Sequence, residues 1–140
     1  MPAERFTFHG AAMIDRYTRP TMKAIWELKR KYEIWLAVEL AACAAFERAG
    51  QVPRGTAARI GKKATIDVKR IAKIEKVTKH DVIAFLESLM ESVGSEHRFL
   101  HMGLTSSDIV DTALAIQMTE ALDLILDDLE ELISVLKRQA

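Results

Sequence analysis

Three short clusters in this sequence bring together side chains able to bind an anion or move a proton beside one. His101-Met102-Gly103-Leu104-Thr105-Ser106-Ser107-Asp108 sets an imidazole and three hydroxyls around a glycine, directly before the longest apolar-periodic run of the chain. Hydroxyl oxygens there would accept the unsatisfied N–H groups of a first helical turn, and Asp108 would complement the positive end of the helix dipole. Capping accounts for Ser107 and Asp108. Four polar residues behind a glycine also suit a helix N-terminus that holds a carboxylate or phosphate, which makes Thr105 and Ser106 candidate ligand-binding residues.

Thr78-Lys79-His80-Asp81 repeats the arrangement before a second apolar run, joining a hydroxyl, a cation, an imidazole and a carboxylate. Thr78 and Asp81 fit the spacing of a capping box, with Lys79 and His80 left to solvent. Alternatively His80, with Asp81 beside it, donates hydrogen bonds to an anionic substrate. Arg16-Tyr17 offers a guanidinium and a phenol that could clamp a phosphate. His97 and His101 stand four apart and would share a face if both lay on one helix, but no HExxH or CxxC spacing accompanies them. No metal is expected.

The whole-chain properties narrow the field. Twenty Lys and Arg balance twenty Asp and Glu, so the broad positive field that nucleic-acid or acidic-membrane binding uses is missing and any anion must be held locally. The single Cys43 excludes an internal disulfide and favours a reducing compartment, where it serves as a small core hydrophobe. The first residues, MPAERFTFHG, lack the apolar centre of a signal peptide, and no apolar stretch reaches bilayer-spanning length. A cytoplasmic protein is expected.

The elements that must position these clusters read as helices throughout, giving an all-α fold. Residues 1–20 form an irregular arm ending at Pro20. Residues 21–104 form a small helical domain, with one helix from Thr21 to Ala49 closed by Gly50 and Pro53, a short helix or turn between Arg54 and Ala64, a helix capped by Asp67, and a largely buried apolar helix closed by Gly94. From about Ser107 to Arg138 a heptad-like seam runs through Val110, Leu114, Met118, Leu122, Ile125, Leu129, Leu132 and Leu136. At 1.5 Å per residue that helix is about 45 Å long. A 140-residue globule does not cover such a length, so part of it should pack on another chain or on further sequence, and residues 105–140 read as the start of a bundle.

Together, MIDRYTRPTMKAIW, WLAVELAACAAFERAGQVP, TKHDVIAFL and HMGLTSSDIVDTALAIQM, in that order from Met13 onward, resemble the adenylosuccinate lyase family of the fumarase/aspartase superfamily. The resemblance implies a helical N-terminal domain followed by a long-helix bundle, assembled as a homotetramer whose active sites combine residues of several subunits. It implies reversible elimination of fumarate from adenylosuccinate, giving AMP, and from the succinyl-carboxamide ribotide SAICAR, giving AICAR. A base removes a proton beside a carboxylate and an acid protonates the departing nitrogen, which calls for anion-stabilising donors and no cofactor. By resemblance Arg16 and Tyr17 bind the nucleotide, Lys79, His80 and Asp81 form a second substrate-binding segment, Thr105 and Ser106 hold the dicarboxylate end, and His101 supports catalysis. Met102 stands where the family commonly has Tyr, and Lys79 where it often has Asn. The family's later histidine segment, which supplies the acid, and its mobile serine loop, which supplies the base, have no counterpart here. The chain is thus expected to be the N-terminal third of such an enzyme, with negligible activity alone. The rival expectation is a non-catalytic helical module that serves assembly.

Overall fold

The computed structural model describes residues 15–140, so most of the expected N-terminal arm lies outside the described residues. Every regular element in that range is helical. A 3₁₀ turn at Asp15–Tyr17 leads into α1 (Pro20–Trp26) and α2 (Leu28–Arg48). Then come α3 (Thr56–Lys63), α4 (Val68–Thr78), α5 (Asp81–Val93), a 3₁₀ segment at Gly94–Phe99, and α6 (Ser106–Gln139).

The sequence predicts one helix from Thr21 to Ala49, whereas two are present. Glu27 takes extended backbone angles (φ −69°, ψ 145°) and separates α1 from α2. Neither Gly nor Pro marks that point, and the break is held by a distant side chain considered below. The other boundaries follow local chemistry. Pro20 opens α1 where its missing N–H costs nothing. Asp67 caps α4 by accepting from Arg70 N at 3.0 Å. Gly94, at φ 72°, closes α5.

α2 is the spine of the molecule, packing against α3 on one side and α6 on another, while α4 lies along α5. Its inner stripe of Tyr32, Trp35, Glu39 and Cys43 follows helical spacing. Trp35 and Phe85 of α5 are both 0% exposed. Their rings meet edge to face with centroids 5.4 Å apart, and Tyr32 stacks on Phe85 at 5.7 Å. Fully burying two such side chains stabilises the fold by roughly 1.5–3 kcal/mol each. Lys31 Nζ sits 4.4 Å above the Trp35 ring, so the outer edge of this aromatic cluster carries a cation.

α6 uses two different stripes. Ile109, Ala113, Gln117 and Ala121 are buried against α1 and α2. Of the predicted heptad seam only Val110 packs against the core, whereas Leu114, Met118, Leu122, Ile125, Leu129, Leu132 and Leu136 are each about half exposed. Small residues let α6 lie close to the rest of the chain, while the larger ones face away. No helix among the described residues is long and apolar enough to cross a membrane.

Candidate active site

The long helix begins at Thr105, which is its N-cap (φ −109°, ψ 163°). Its main-chain N–H donates to Asp108 Oδ2 at 2.7 Å, the carboxylate half of a capping box. The division of labour therefore differs from the sequence expectation, which gave the cap to Ser107 and Asp108. Thr105 is itself the capping position, and Ser107 is merely exposed. Ser106 stands half-buried in the first turn, outside that exchange, where the N–H groups and the dipole favour an anion. Gly103 is required just before: at φ 70° a side chain is strained, and a Cβ would meet Phe46 Cζ at 3.2 Å.

His101 lies in the same bend, four residues before the cap, at φ 58°. Its main-chain N–H and one ring nitrogen face the same carboxylate. Its main-chain N–H donates to Glu39 Oε2 at 2.6 Å, and its ring Nδ1 lies 2.8 Å from Glu39 Oε1. The Glu39 side chain is 0% exposed and the His101 side chain 20%. Sequence reasoning singled out His101 and missed Glu39. A signal for it existed, because Glu39 interrupts Trp35-Leu36-Ala37-Val38 and Leu40 to Phe46 on the stripe that α2 buries. A charge on an apolar stripe needs a partner.

His97 does not share a helical face with His101. It belongs to the 3₁₀ segment, its Nδ1 lies 2.9 Å from Gly94 O, and the chain leaves that segment at Leu100.

At the second cluster the capping residue is also different from expectation. Thr78 is the last residue of α4, and His80 is the N-cap of α5, its Nδ1 accepting from Ile83 N at 3.4 Å. Asp81 sits 3.8 Å from Lys31 Nζ. Lys79 closes α4 in the left-handed region at φ 55°, a conformation that Asn tolerates better than Lys.

The clusters are spread along α2 and α6. Asp81 docks at Lys31 and His101 at Glu39, two turns further along α2, a rise of about 12 Å. Arg16 and Tyr17, whose guanidinium and ring are 4.8 Å apart, lie at the other end of the molecule. Tyr17 lines a groove of about 240 Å³ with Arg19, Met22, Leu124 and Asp128. Along α6, Asp128 stands about 33 Å from Ser106. One chain thus brings His101, Thr105 and Ser106 together, sets Asp81 against Lys31 about 12 Å away along α2, and leaves Arg16 and Tyr17 remote.

Carboxylates elsewhere lock the helices that carry these groups. Glu47, near the end of α2, accepts from Ala57 N at 2.6 Å and Gly55 N at 2.8 Å, which lowers its pKa and ties down the start of α3. Arg70 and Glu91 join α4 to α5, and Arg59 and Lys63 of α3 both reach Glu96. Arg30 of α2 pairs with Glu120 of α6.

The described residues, all-helical in their regular elements and with an imidazole and hydroxyls gathered at a long helix's N-terminus, are matched by the Lyase family over residues 15–140, and the chain belongs to that family. Among solved structures it resembles the crystal structure of a fumarate lyase from Mesorhizobium sp. BNC1, superposing with a TM-score of 0.68 at 25% identity over 74% of this chain and 25% of that one. The curated relatives are more specific. The chain is 47% identical to the adenylosuccinate lyase of Aquifex aeolicus (strain VF5) over 131 residues and 43% identical to that of Bacillus subtilis (strain 168) over 128. The corresponding enzyme of Synechocystis sp. is 48% identical over 128 residues. These alignments cover 91% of this chain and about 30% of each relative.

Proposed function

We infer that this chain supplies part of the substrate site of an adenylosuccinate lyase, which eliminates fumarate from adenylosuccinate and from SAICAR in purine biosynthesis. Residues 21–104 form its N-terminal helical domain and residues 105–140 begin its central bundle. The observation that carries the reading is His101, held on buried Glu39 at the mouth of α6 beside Thr105 and Ser106. Carbanion-forming elimination beside a carboxylate needs fixed donors where negative charge grows, and a helix N-terminus with hydroxyls and an imidazole supplies them without a metal.

In this reading Thr105 and Ser106 bind the dicarboxylate end and His101 supports the proton transfers. Lys79, His80 and Asp81 contact a second part of the substrate, and Arg16 and Tyr17 bind the nucleotide. The separation of about 33 Å along α6 between Ser106 and Asp128, beside which Tyr17 lies, favours sites completed by several copies. The half-exposed leucines of α6 favour the same homotetramer. The enzyme works in the cytoplasm, and the 140 residues alone have negligible activity.

The test is a chimera in which this chain replaces the matching part of the Aquifex aeolicus relative, assayed for fumarate release from adenylosuccinate. The chimera is expected to turn over, and Ser106→Ala within it to raise KM with thermal stability kept. A folded, tetrameric chimera without turnover, or a Ser106→Ala variant with unchanged kinetics, would overturn the reading and leave the helical assembly module in its place.

A further inference from the structure

Among the described residues the buried polar side chains are Glu39, Thr56, Ser88 and Gln117, and only Glu39 carries a charge. A carboxylate removed from water is tolerated when donors occupy its oxygens. Both donors come from one residue. The left-handed backbone at His101 (φ 58°) folds its main-chain N–H and its ring toward the same group, with contacts of 2.6 and 2.8 Å. A non-glycine residue enters that region at a cost, and its persistence signals that the surroundings over-determine it.

The hydrogen-bond chemistry then limits the ring. The main-chain N–H is always a donor, so Glu39 Oε2 is committed as an acceptor. With the carboxylate ionised, Oε1 can only accept as well, which requires a proton on Nδ1. That holds whether the imidazole is neutral or charged. Nε2, across the ring, is then the only nitrogen left for substrate, a lone-pair acceptor in the neutral ring and a donor in the charged one.

We propose that Glu39 is a positioning residue that fixes His101 in the Nδ1–H form and so presents Nε2 to the substrate. This rests on the lyase reading for what Nε2 meets, but not for the state of the ring. Glu39→Gln is the informative change. A carboxamide has a single oxygen, which must serve the obligatory main-chain N–H, so its NH₂ group turns to Nδ1 and the ring proton moves to Nε2.

The experiment is long-range ¹H–¹⁵N correlation on the 140-residue chain with ¹⁵N-labelled histidine rings, the His101 signals being assigned by their loss in His101→Gln. The wild-type ring is expected to carry Nδ1–H with Nε2 bare when neutral. The pattern should reverse in Glu39→Gln with far-UV circular dichroism unchanged. A wild-type neutral ring protonated at Nε2, or one exchanging evenly between forms, overturns the proposal, as does a folded Glu39→Gln chain with an unaltered ring. Should Glu39→Gln not fold, the wild-type spectrum decides alone. In the chimera, Glu39→Gln is expected to lower kcat about tenfold or more with KM little changed, and an unchanged kcat overturns the positioning role. The expected ring form in a chimera inert toward adenylosuccinate would count against the lyase reading alone.

Discussion

The Gln117 side-chain amide donates to the main-chain carbonyl of Ile25 across 2.6 Å, a buried bond between α6 and the end of α1. Ile25 sits in the last turn of α1, where carbonyls lose their intrahelical partners, and the chain turns extended two residues later at Glu27. A residue 92 positions away thus supplies the acceptor's missing donor and fixes where α1 stops.

Gln117→Leu keeps the volume and removes that donor, leaving a buried carbonyl unsatisfied. Urea unfolding should show a loss of about 1–3 kcal/mol, with hydrogen exchange rising first in α1. A loss below half a kcal/mol would mean that the bond does not hold the break.

Gly103→Ala meets two obstacles, a backbone at φ 70° and the Phe46 ring 3.2 Å from the new methyl. Stability should fall by about 1–2 kcal/mol. Pairing it with Phe46→Leu relieves the contact and not the backbone, so the double variant should recover only part of the loss in the same denaturant titration.

Lys79→Asn places a residue that accepts left-handed angles at φ 55°. A gain of about 0.5 kcal/mol is expected, raising the midpoint of thermal unfolding by about 2 °C. An unchanged or lowered midpoint would show that the left-handed backbone at Lys79 carries no strain that Asn relieves.

Acid should unfold the chain through identifiable carboxylates. Main-chain N–H groups of Ala57 and Gly55 hold Glu47 below its ordinary 4.5, the Arg70 guanidinium does the same for Glu91, and Arg59 and Lys63 for Glu96. The unfolded chain therefore binds protons first as pH drops. The stability these groups contribute is complete above about 4.5 and is lost as pH falls through their lowered folded values. Glu96→Gln should flatten part of the decline in a series of urea midpoints from pH 6 to pH 3, and an identical slope in that variant would exclude Glu96 as a source.

At the alkaline end, burial and the nearby Glu75 and Asp81 charges push the Tyr32 phenol from 10.0 up to about 12. The unfolded chain ionises first there, so stability declines as pH rises between those values. Tyr32→Phe should remove that component, read as a shallower fall in the thermal midpoint between pH 10 and pH 12.

The helical class and α6 were legible because their signals are local. The span expected for α6, about Ser107 to Arg138, differs from Ser106–Gln139 by one residue at each end, since a hydroxyl and acid before a long periodic run define a start. The inner face of α6 was not legible. Its buried stripe of Ile109, Ala113, Gln117 and Ala121 is less hydrophobic than the leucine seam beside it, and only the close approach of α1 and α2 selects it. The Glu27 break and the His80 cap escaped for a related reason. Gln117 decides the first from across the fold. The second turns on an imidazole lone pair taking a role that Thr78 would take if α4 ended earlier. His101 was singled out, yet its carboxylate partner lies 62 positions away, a separation no spacing rule bridges.

α2 meets four other parts of the chain at fixed points: Arg30 to Glu120, Lys31 to Asp81, Glu39 to His101, and Glu47 to Gly55 and Ala57. Inserting one residue between Lys31 and Glu39 would turn everything beyond it by about 100° and advance it by about 1.5 Å. Glu39 would then swing out of the core while Lys31 stayed in place. The length of this helix is therefore as constrained as its composition, and natural additions to the chain belong in the segments that join helices, where extra residues leave the phase of α2 unchanged.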